Sequence, residues 1–151
     1  MLTPDKTAPT ETDIMLVRRT FDLIVPIAGV AADLFYDRLF YVAPSVRRMF
    51  PRDMADQKRK LMVVIATSVQ NLGNLDALVP LAKALGARHA IYGVTAAHYQ
   101  VGGDALMWTL ERTLAGDFTP AVERAWRRAY ALLAAIMRTG AQDVAVMQAA
   151  E

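Results

Sequence analysis

Apolar residues recur at intervals of three and four along nearly the whole chain, whereas strict alternation over the length of a strand is scarce. The first spacing places apolar side chains on one face of an α-helix, and alternation is what a half-buried strand requires. The chain has 151 residues, 54% apolar and 21% charged, which is enough to enclose one substantial core. The pattern therefore predicts a single all-α domain.

Prolines, glycines and capping residues divide the chain into about seven helices of unequal length. Thr10 to Asp13 offer N-caps for the first helix, which Pro26 ends near Val25. The other helices are expected over residues 27–41, 44–51, 54–72, 76–89, 95–114 and 121–137. Unequal helices joined by short loops favour an irregular helical fold, with a regular four-helix bundle as the alternative.

The two ends of the chain are expected to stand apart from this domain. We expect residues 1–10 to form a flexible N-terminus, residues 11–140 the domain, and residues 141–151 a C-terminal tail, with the stretch from Thr139 onward weakly helical at best. No stretch reaches the roughly 20 apolar residues of a membrane span, and the N-terminus lacks the order of a signal peptide. A cytoplasmic location without membrane contact is the resulting expectation.

Composition and residue spacing argue against several kinds of metal, catalytic and nucleic-acid-binding site. The absence of cysteine excludes disulfides, thiolate zinc sites and iron–sulfur clusters. His89 and His98 lie nine residues apart, which is not the i, i+4 pair of a helical zinc site. No serine nucleophile elbow or phosphate-binding loop is present, and no carboxylate pair is singled out for hydrolysis. The net charge of +2 and short basic runs favour solvated helix faces over nucleic-acid binding.

His89 ends an apolar stripe on its predicted helix. Leu85, Ala82 and Leu78 precede it by four, seven and eleven residues. On this feature alone, such a histidine is more often a core residue with satisfied nitrogens than a ligand. A haem ligand, however, requires the same setting: a neutral imidazole on an apolar wall, with its other nitrogen bonded to a carbonyl.

Two polar residues occupy otherwise apolar rows on the second and fourth predicted helices. Tyr36 lies on the second, and Gln57 begins a row on the fourth that continues through Leu61 and Val64. Tyr36 is either an ordinary core aromatic residue, or it joins Gln57 as a hydrogen-bond donor to a small molecule in an apolar cavity. Spacing alone does not decide between these interpretations.

Read together, these segments resemble the bacterial single-domain haemoglobins, a globin family related to the globin part of flavohaemoglobins. The resemblance runs from about Glu11 to Arg138 and implies a globin fold around a haem pocket. It rests on the motifs LFYDRLF (34–40), APSVRRMF (43–50), QKRKLM (57–62), NLDALVP (74–80), LGARHAIYGV (85–94), HY (98–99) and AWRRAY (125–130). These motifs are jointly specific because they occur in the family's order, at compatible spacings.

The resemblance implies a role for each site residue. His89 matches the proximal ligand of haem b (iron protoporphyrin IX), whereas Tyr36 and Gln57 match the distal hydrogen-bonding residues. Phe50 matches the phenylalanine that wedges against the haem. The other implied haem contacts are Leu61, Val64, Leu85, Val94 and Tyr99, with Lys60 or Arg88 as a propionate partner unless they face solvent. The family's glutamate near the proximal histidine has its matching position at Ala141, which argues against strong peroxidase-type activation.

The implied function is reversible, high-affinity binding of O2, and of NO and CO, with nitric oxide dioxygenation to nitrate as its enzymatic extension. The resemblance to flavohaemoglobins ends at the last helix, so we expect an external reductase. A monomer or weak homodimer is expected. The alternatives are a haem-based gas sensor and a haem-free globin-like interaction domain.

Overall fold

Six α-helices and three short 3-10 segments make up the residues that the computed structural model describes, which are residues 8–150. The helices are α1 (Glu11–Ile24), α2 (Ala28–Val42), α3 (Ala55–Gln70), α4 (Leu75–Ile91), α5 (Ala96–Leu114) and α6 (Pro120–Ala150). The 3-10 segments are Val25–Ile27, Pro44–Met49 and Ala115–Asp117. No strand occurs in these residues, so the all-α prediction is confirmed. The helix expected over residues 44–51 is a 3-10 segment, which leaves six α-helices rather than seven.

The N-terminal boundary of α1 follows from its capping residues. The Asp13 N–H donates to Thr10 Oγ1 at 3.1 Å, and the Thr10 N–H donates to Asp13 Oδ2 at 2.9 Å. This reciprocal pair satisfies two backbone donors that a helix start leaves unpaired. Residues 1–7 of the expected flexible N-terminus lie outside the described part of the chain.

The turn between α4 and α5 depends on one glycine. Gly93 has a φ of +91°, a conformation that side chains with a Cβ rarely adopt. The chain therefore turns directly after α4, and α5 begins at Ala96.

The expectation of a weakly helical tail is wrong, because α6 continues as far as Ala150. The residues after Arg138 include alanine, glutamine and methionine, which favour helix, and no proline interrupts them. Gly140, which ordinarily weakens a helix, is buried against α4. Favourable propensity and this packing therefore outweigh the cost of a glycine within the helix.

The described residues form two apolar clusters. The larger one gathers side chains from all six helices and from the turn after α3, and includes Val17, Leu78, Leu110 and Trp126. The smaller one joins α2, the following 3-10 segment and α5 around Tyr36. A hydrogen bond of 2.9 Å from Trp126 Nε1 to the Thr20 hydroxyl ties α6 to α1 inside the larger cluster.

No helix within residues 8–150 combines the length and the apolar character needed to cross a membrane.

Candidate functional site

Tyr36 on α2 and Gln57 on α3 form a direct hydrogen bond. The Gln57 Nε2 donates to the Tyr36 hydroxyl oxygen at 3.1 Å. Tyr36 is only 3% exposed, and Gln57 is half-buried. The fold thus brings together the two polar residues that occupy separate apolar rows in the sequence.

The Tyr36 proton remains available to a third group, because the tyrosine oxygen is the acceptor in this pair. Burial raises the pKa of Tyr36 above its ordinary value of 10.0. The hydrogen bond from Gln57 lowers this pKa, but burial has the larger effect. The phenol is therefore neutral near pH 7 and can donate a hydrogen bond.

Aromatic rings enclose this pair on the side of the 3-10 segment. The Phe50 ring meets Tyr36 edge-on at 5.5 Å between centroids and Phe40 at 5.4 Å. Leu61, one turn after Gln57, packs against the same cluster. These contacts give the polar pair an apolar surrounding, in which a hydrogen bond is electrostatically stronger than in water.

Arg47 fixes the corner that carries Phe50. Its guanidinium donates to the carbonyl of Pro51 at 2.9 Å and to the carbonyl of Arg52 at 3.1 Å. It also lies 5.1 Å from the centre of the Phe40 ring. Sequence reasoning missed this residue, because nothing in a pair of neighbouring arginines indicates which one folds back onto carbonyls.

One ring nitrogen of His89 forms a hydrogen bond, and the other forms none with the residues that the structure describes. Its Nδ1 lies 2.8 Å from the carbonyl oxygen of Leu85, a contact that requires a proton on Nδ1. Burial lowers the pKa of His89 below 6.5, the charge of Arg88 acts in the same direction, and the bond to Leu85 opposes them. The neutral ring therefore has its lone pair on Nε2, as a metal-binding histidine requires.

Apolar side chains accompany His89 without being fully buried. Leu85 and Val94 near His89, and Val64 on α3, are each partly exposed. The Val94 N–H donates to the carbonyl of His89 at 3.0 Å, which holds the turn after α4 against the histidine. Half-exposed apolar side chains beside a neutral imidazole fit a large apolar cofactor that would complete their burial.

The second histidine has a different role. The Thr95 N–H donates to His98 Nδ1 at 2.9 Å, so His98 caps the start of α5. Within residues 8–150, no group of three or more histidine, aspartate or glutamate side chains is placed to hold a metal ion.

The hydroxyl of Tyr99 is buried and has no hydrogen-bond partner among the described residues. Burial raises its pKa, and the charge of Arg138 opposes that shift. Tyr130 donates its hydroxyl proton to the Tyr99 carbonyl, and its ring lies against Gly103. A buried hydroxyl without a partner normally carries a large cost, so it fits a site with a further polar group bound nearby.

The two candidate propionate partners are exposed. Lys60 Nζ lies 3.1 Å from Asp56 Oδ2, an ion pair at the surface that contributes little to stability. Arg88 is exposed beside His89. Both side chains are therefore accessible to an anionic group from solvent.

Comparison with known proteins gives concordant matches. The family model described as Globin matches residues 33–137. A flavohemoprotein of Vibrio cholerae serotype O1 is 30% identical over 132 residues, covering 84% of this chain and 33% of the relative. A flavohemoprotein of Bacillus subtilis is 26% identical over 129 residues, covering 80% and 31%. The chain thus spans about a third of the length of these curated relatives.

A solved structure aligns over almost the whole chain. It is an engineered carbene transferase, described as a proposed nitric oxide dioxygenase from Rhodothermus marinus. It is 25% identical in sequence, has a TM-score of 0.84, and the match covers 94% of this chain and 99% of the other.

Proposed function

Because this chain belongs to the globin family, we propose that it binds haem b, with His89 as the proximal ligand, and retains O2, NO or CO beside Tyr36 and Gln57. When bound, the haem would supply an iron able to bind a diatomic molecule. The observation that carries the proposal is the Nδ1 bond of His89, which leaves a neutral Nε2 on an apolar wall.

The remaining residues of the site are assigned by their surroundings. Phe50, Leu61, Val64, Leu85 and Val94 would contact the porphyrin and exclude water from it. Phe50 and Leu61 pack against the cluster around Tyr36, and the other three are partly exposed apolar side chains. Arg88 or Lys60 would pair with a propionate. The Tyr99 hydroxyl would donate on the proximal side, where Ala141 supplies no carboxylate.

Tyr36 and Gln57 determine how long the diatomic molecule stays. Tyr36 keeps its proton available because Gln57 already donates to its oxygen. Each neutral hydrogen bond to the ligand contributes about 1 kcal/mol, and more if the ligand accepts negative charge. We infer slow dissociation of O2, which suits retention or reaction better than bulk delivery.

Nitric oxide dioxygenation is the enzymatic extension of this proposal. The reaction joins one NO and one O2 and takes up one electron to give nitrate, so it depends on a reductase. Its support is that relatives are named flavohemoproteins and that one similar structure is described as a proposed nitric oxide dioxygenase.

Titration of the purified protein with haem tests the cofactor. We expect an intense Soret band that saturates at one haem per chain. A protein that stays colourless after haem addition would reject the proposal and favour a haem-free interaction domain. Addition of NO to the O2-loaded protein, with a reductant present, then tests dioxygenation by the number of turnovers to nitrate.

A further inference from the structure

The helix that carries His89 rests on α6. Among the described residues, α4 and α6 make the most extensive contact of any pair of helices. Two glycines lie in this contact, Gly86 on α4 and Gly140 on α6, and both are buried. Both face the backbone of the opposite helix, whereas Gly102 and Gly103 on α5 face the side chain of Tyr130.

Both glycines lie against backbone atoms of the opposite helix. A Cβ built on Gly86 would lie 1.8 Å from the carbonyl oxygen of Met137, and one built on Gly140 would lie 2.1 Å from that of Lys83. Ordinary van der Waals contact begins at 3.4 Å. The atoms that a methyl group would overlap at either position belong to the backbone. No side-chain rotation can therefore remove the overlap, and the helices would have to separate.

The two contacts are reciprocal. Met137 precedes Gly140 by three residues, and Lys83 precedes Gly86 by three residues. Gly86 thus contacts the backbone of α6 one turn before Gly140, and Gly140 contacts the backbone of α4 one turn before Gly86. Two points of contact restrict both the separation of the helices and the rotation of α4 about its own axis.

His89 lies one turn beyond Gly86. Leu85, whose carbonyl accepts the bond from the His89 ring, directly precedes Gly86. The stripe of α4 formed by Leu78, Ala82 and Gly86 is buried, whereas Leu85 and His89 lie on the adjacent, half-exposed stripe. The depth at which α4 sits on α6 therefore sets how far His89 projects from the protein wall.

We propose that Gly86 and Gly140 form a two-point clasp that positions His89 toward the haem, which gives the part of α6 beyond Arg138 a function. Both glycines are positioning residues that act through His89. The inference rests on the proposed function, since it concerns His89 as a haem ligand.

The test compares Gly86→Ala and Gly140→Ala in the full chain by two readouts. The first is the separation of α4 and α6 without haem, measured by electron spin resonance between labels on Ala84→Cys and Ala135→Cys. Both positions are exposed, and the chain has no cysteine of its own. The second is the iron–histidine stretching band of the haem-loaded ferrous protein. We expect each variant to lengthen the label distance and shift the band, Gly86→Ala more strongly.

Two controls separate positioning from a general loss of stability. Gly29→Ala makes the same change within α2, where a new Cβ meets nothing within 4 Å, and both readouts should stay as in the unmodified chain. Val17→Ala removes volume from the larger apolar cluster on α1 and should lower the melting temperature while the band stays in place.

Unchanged distance and band in both glycine variants, with normal haem uptake, would overturn the clasp and leave the proposed function intact. If Gly86→Ala fails to fold, Gly140→Ala decides, since Gly140 contacts α4 two turns from His89. Failure of the unmodified chain to take up haem would instead reject the proposed function, and the positioning of His89 for haem with it.

Discussion

The amide of Gln57 donates to the hydroxyl oxygen of Tyr36 across 3.1 Å, linking α3 to α2. The direction of this bond matters more than its length, because it leaves the tyrosine proton free for a bound molecule. The edge-on contact of Phe50 with the Tyr36 ring holds the phenol in place. The distal pocket we propose is therefore preorganised before any ligand enters it.

Tyr36→Phe is expected to speed O2 dissociation about tenfold, since it removes one hydrogen bond worth about 1–1.5 kcal/mol. Stopped-flow displacement of O2 by CO measures the rate. The matched control is Tyr41→Phe, which removes a hydroxyl from a residue that is 77% exposed and should leave the rate unchanged. An unaltered rate in Tyr36→Phe would remove Tyr36 from the site.

Gln57→Leu is expected to speed O2 dissociation as well, but its effect should not add to that of Tyr36→Phe. The two side chains share a hydrogen bond, and residues in contact commonly couple by about 0.5–3 kcal/mol. A double-mutant cycle of dissociation rates measures this coupling. Strict additivity would show that Gln57 acts on the ligand independently of Tyr36.

The O2 dissociation rate should be insensitive to pH from about pH 6 to about pH 9. A tyrosine donates a hydrogen bond only while protonated, and burial raises the pKa of Tyr36 above 10.0, so the donor persists across this range. Rates measured at several pH values within it check the prediction. A rate that climbs toward pH 9 and loses this slope in Tyr36→Phe would contradict it.

The ion pair between Asp13 and Arg128, at 2.9 Å, is expected to make stability fall in acid. Burial acts to raise the pKa of Asp13, but hydrogen bonds from Thr10 and Arg128 outweigh it and hold the pKa below 3.8. The stabilisation is therefore complete above the unfolded-state pKa and is lost as pH falls through the lower folded value.

Asp13→Asn should lower the free energy of unfolding at pH 7 by about 1.5 kcal/mol, the lower end of the range for hydrogen bonds to charged groups. Urea denaturation at neutral and acid pH measures the difference from the unmodified chain, which should shrink below about pH 4. Asp22→Asn on the exposed face of α1 is the control. A difference that stays constant into acid would show that the charge of Asp13 does not contribute.

Local features of the site could be predicted from sequence because they depend on helix periodicity. The bond from His89 to Leu85 joins residues four apart, and the apolar row after Gln57 follows the same spacing. The pairing of Tyr36 with Gln57 remained one of two interpretations, since spacing does not show which helices face each other. The globin resemblance supplied that relationship.

Contacts between distant backbones could not be predicted in this way. Gly86 and Gly140 look like weak points in helices until α4 and α6 are seen to cross at them. The same crossing explains why α6 continues beyond Thr139, where the sequence predicts only weak helix. Arg47 likewise acquires its role only when the corner folds back toward its guanidinium.

The most direct test of the proposed function compares the chain's two histidines in the haem-loaded protein. His98→Ala removes a side chain that caps α5, so it should retain the Soret band of the unmodified chain. His89→Ala should lose that band or shift it, and added imidazole should restore it by occupying the vacated position. A His89→Ala spectrum identical to that of the unmodified chain would contradict the assignment of His89 as the proximal ligand.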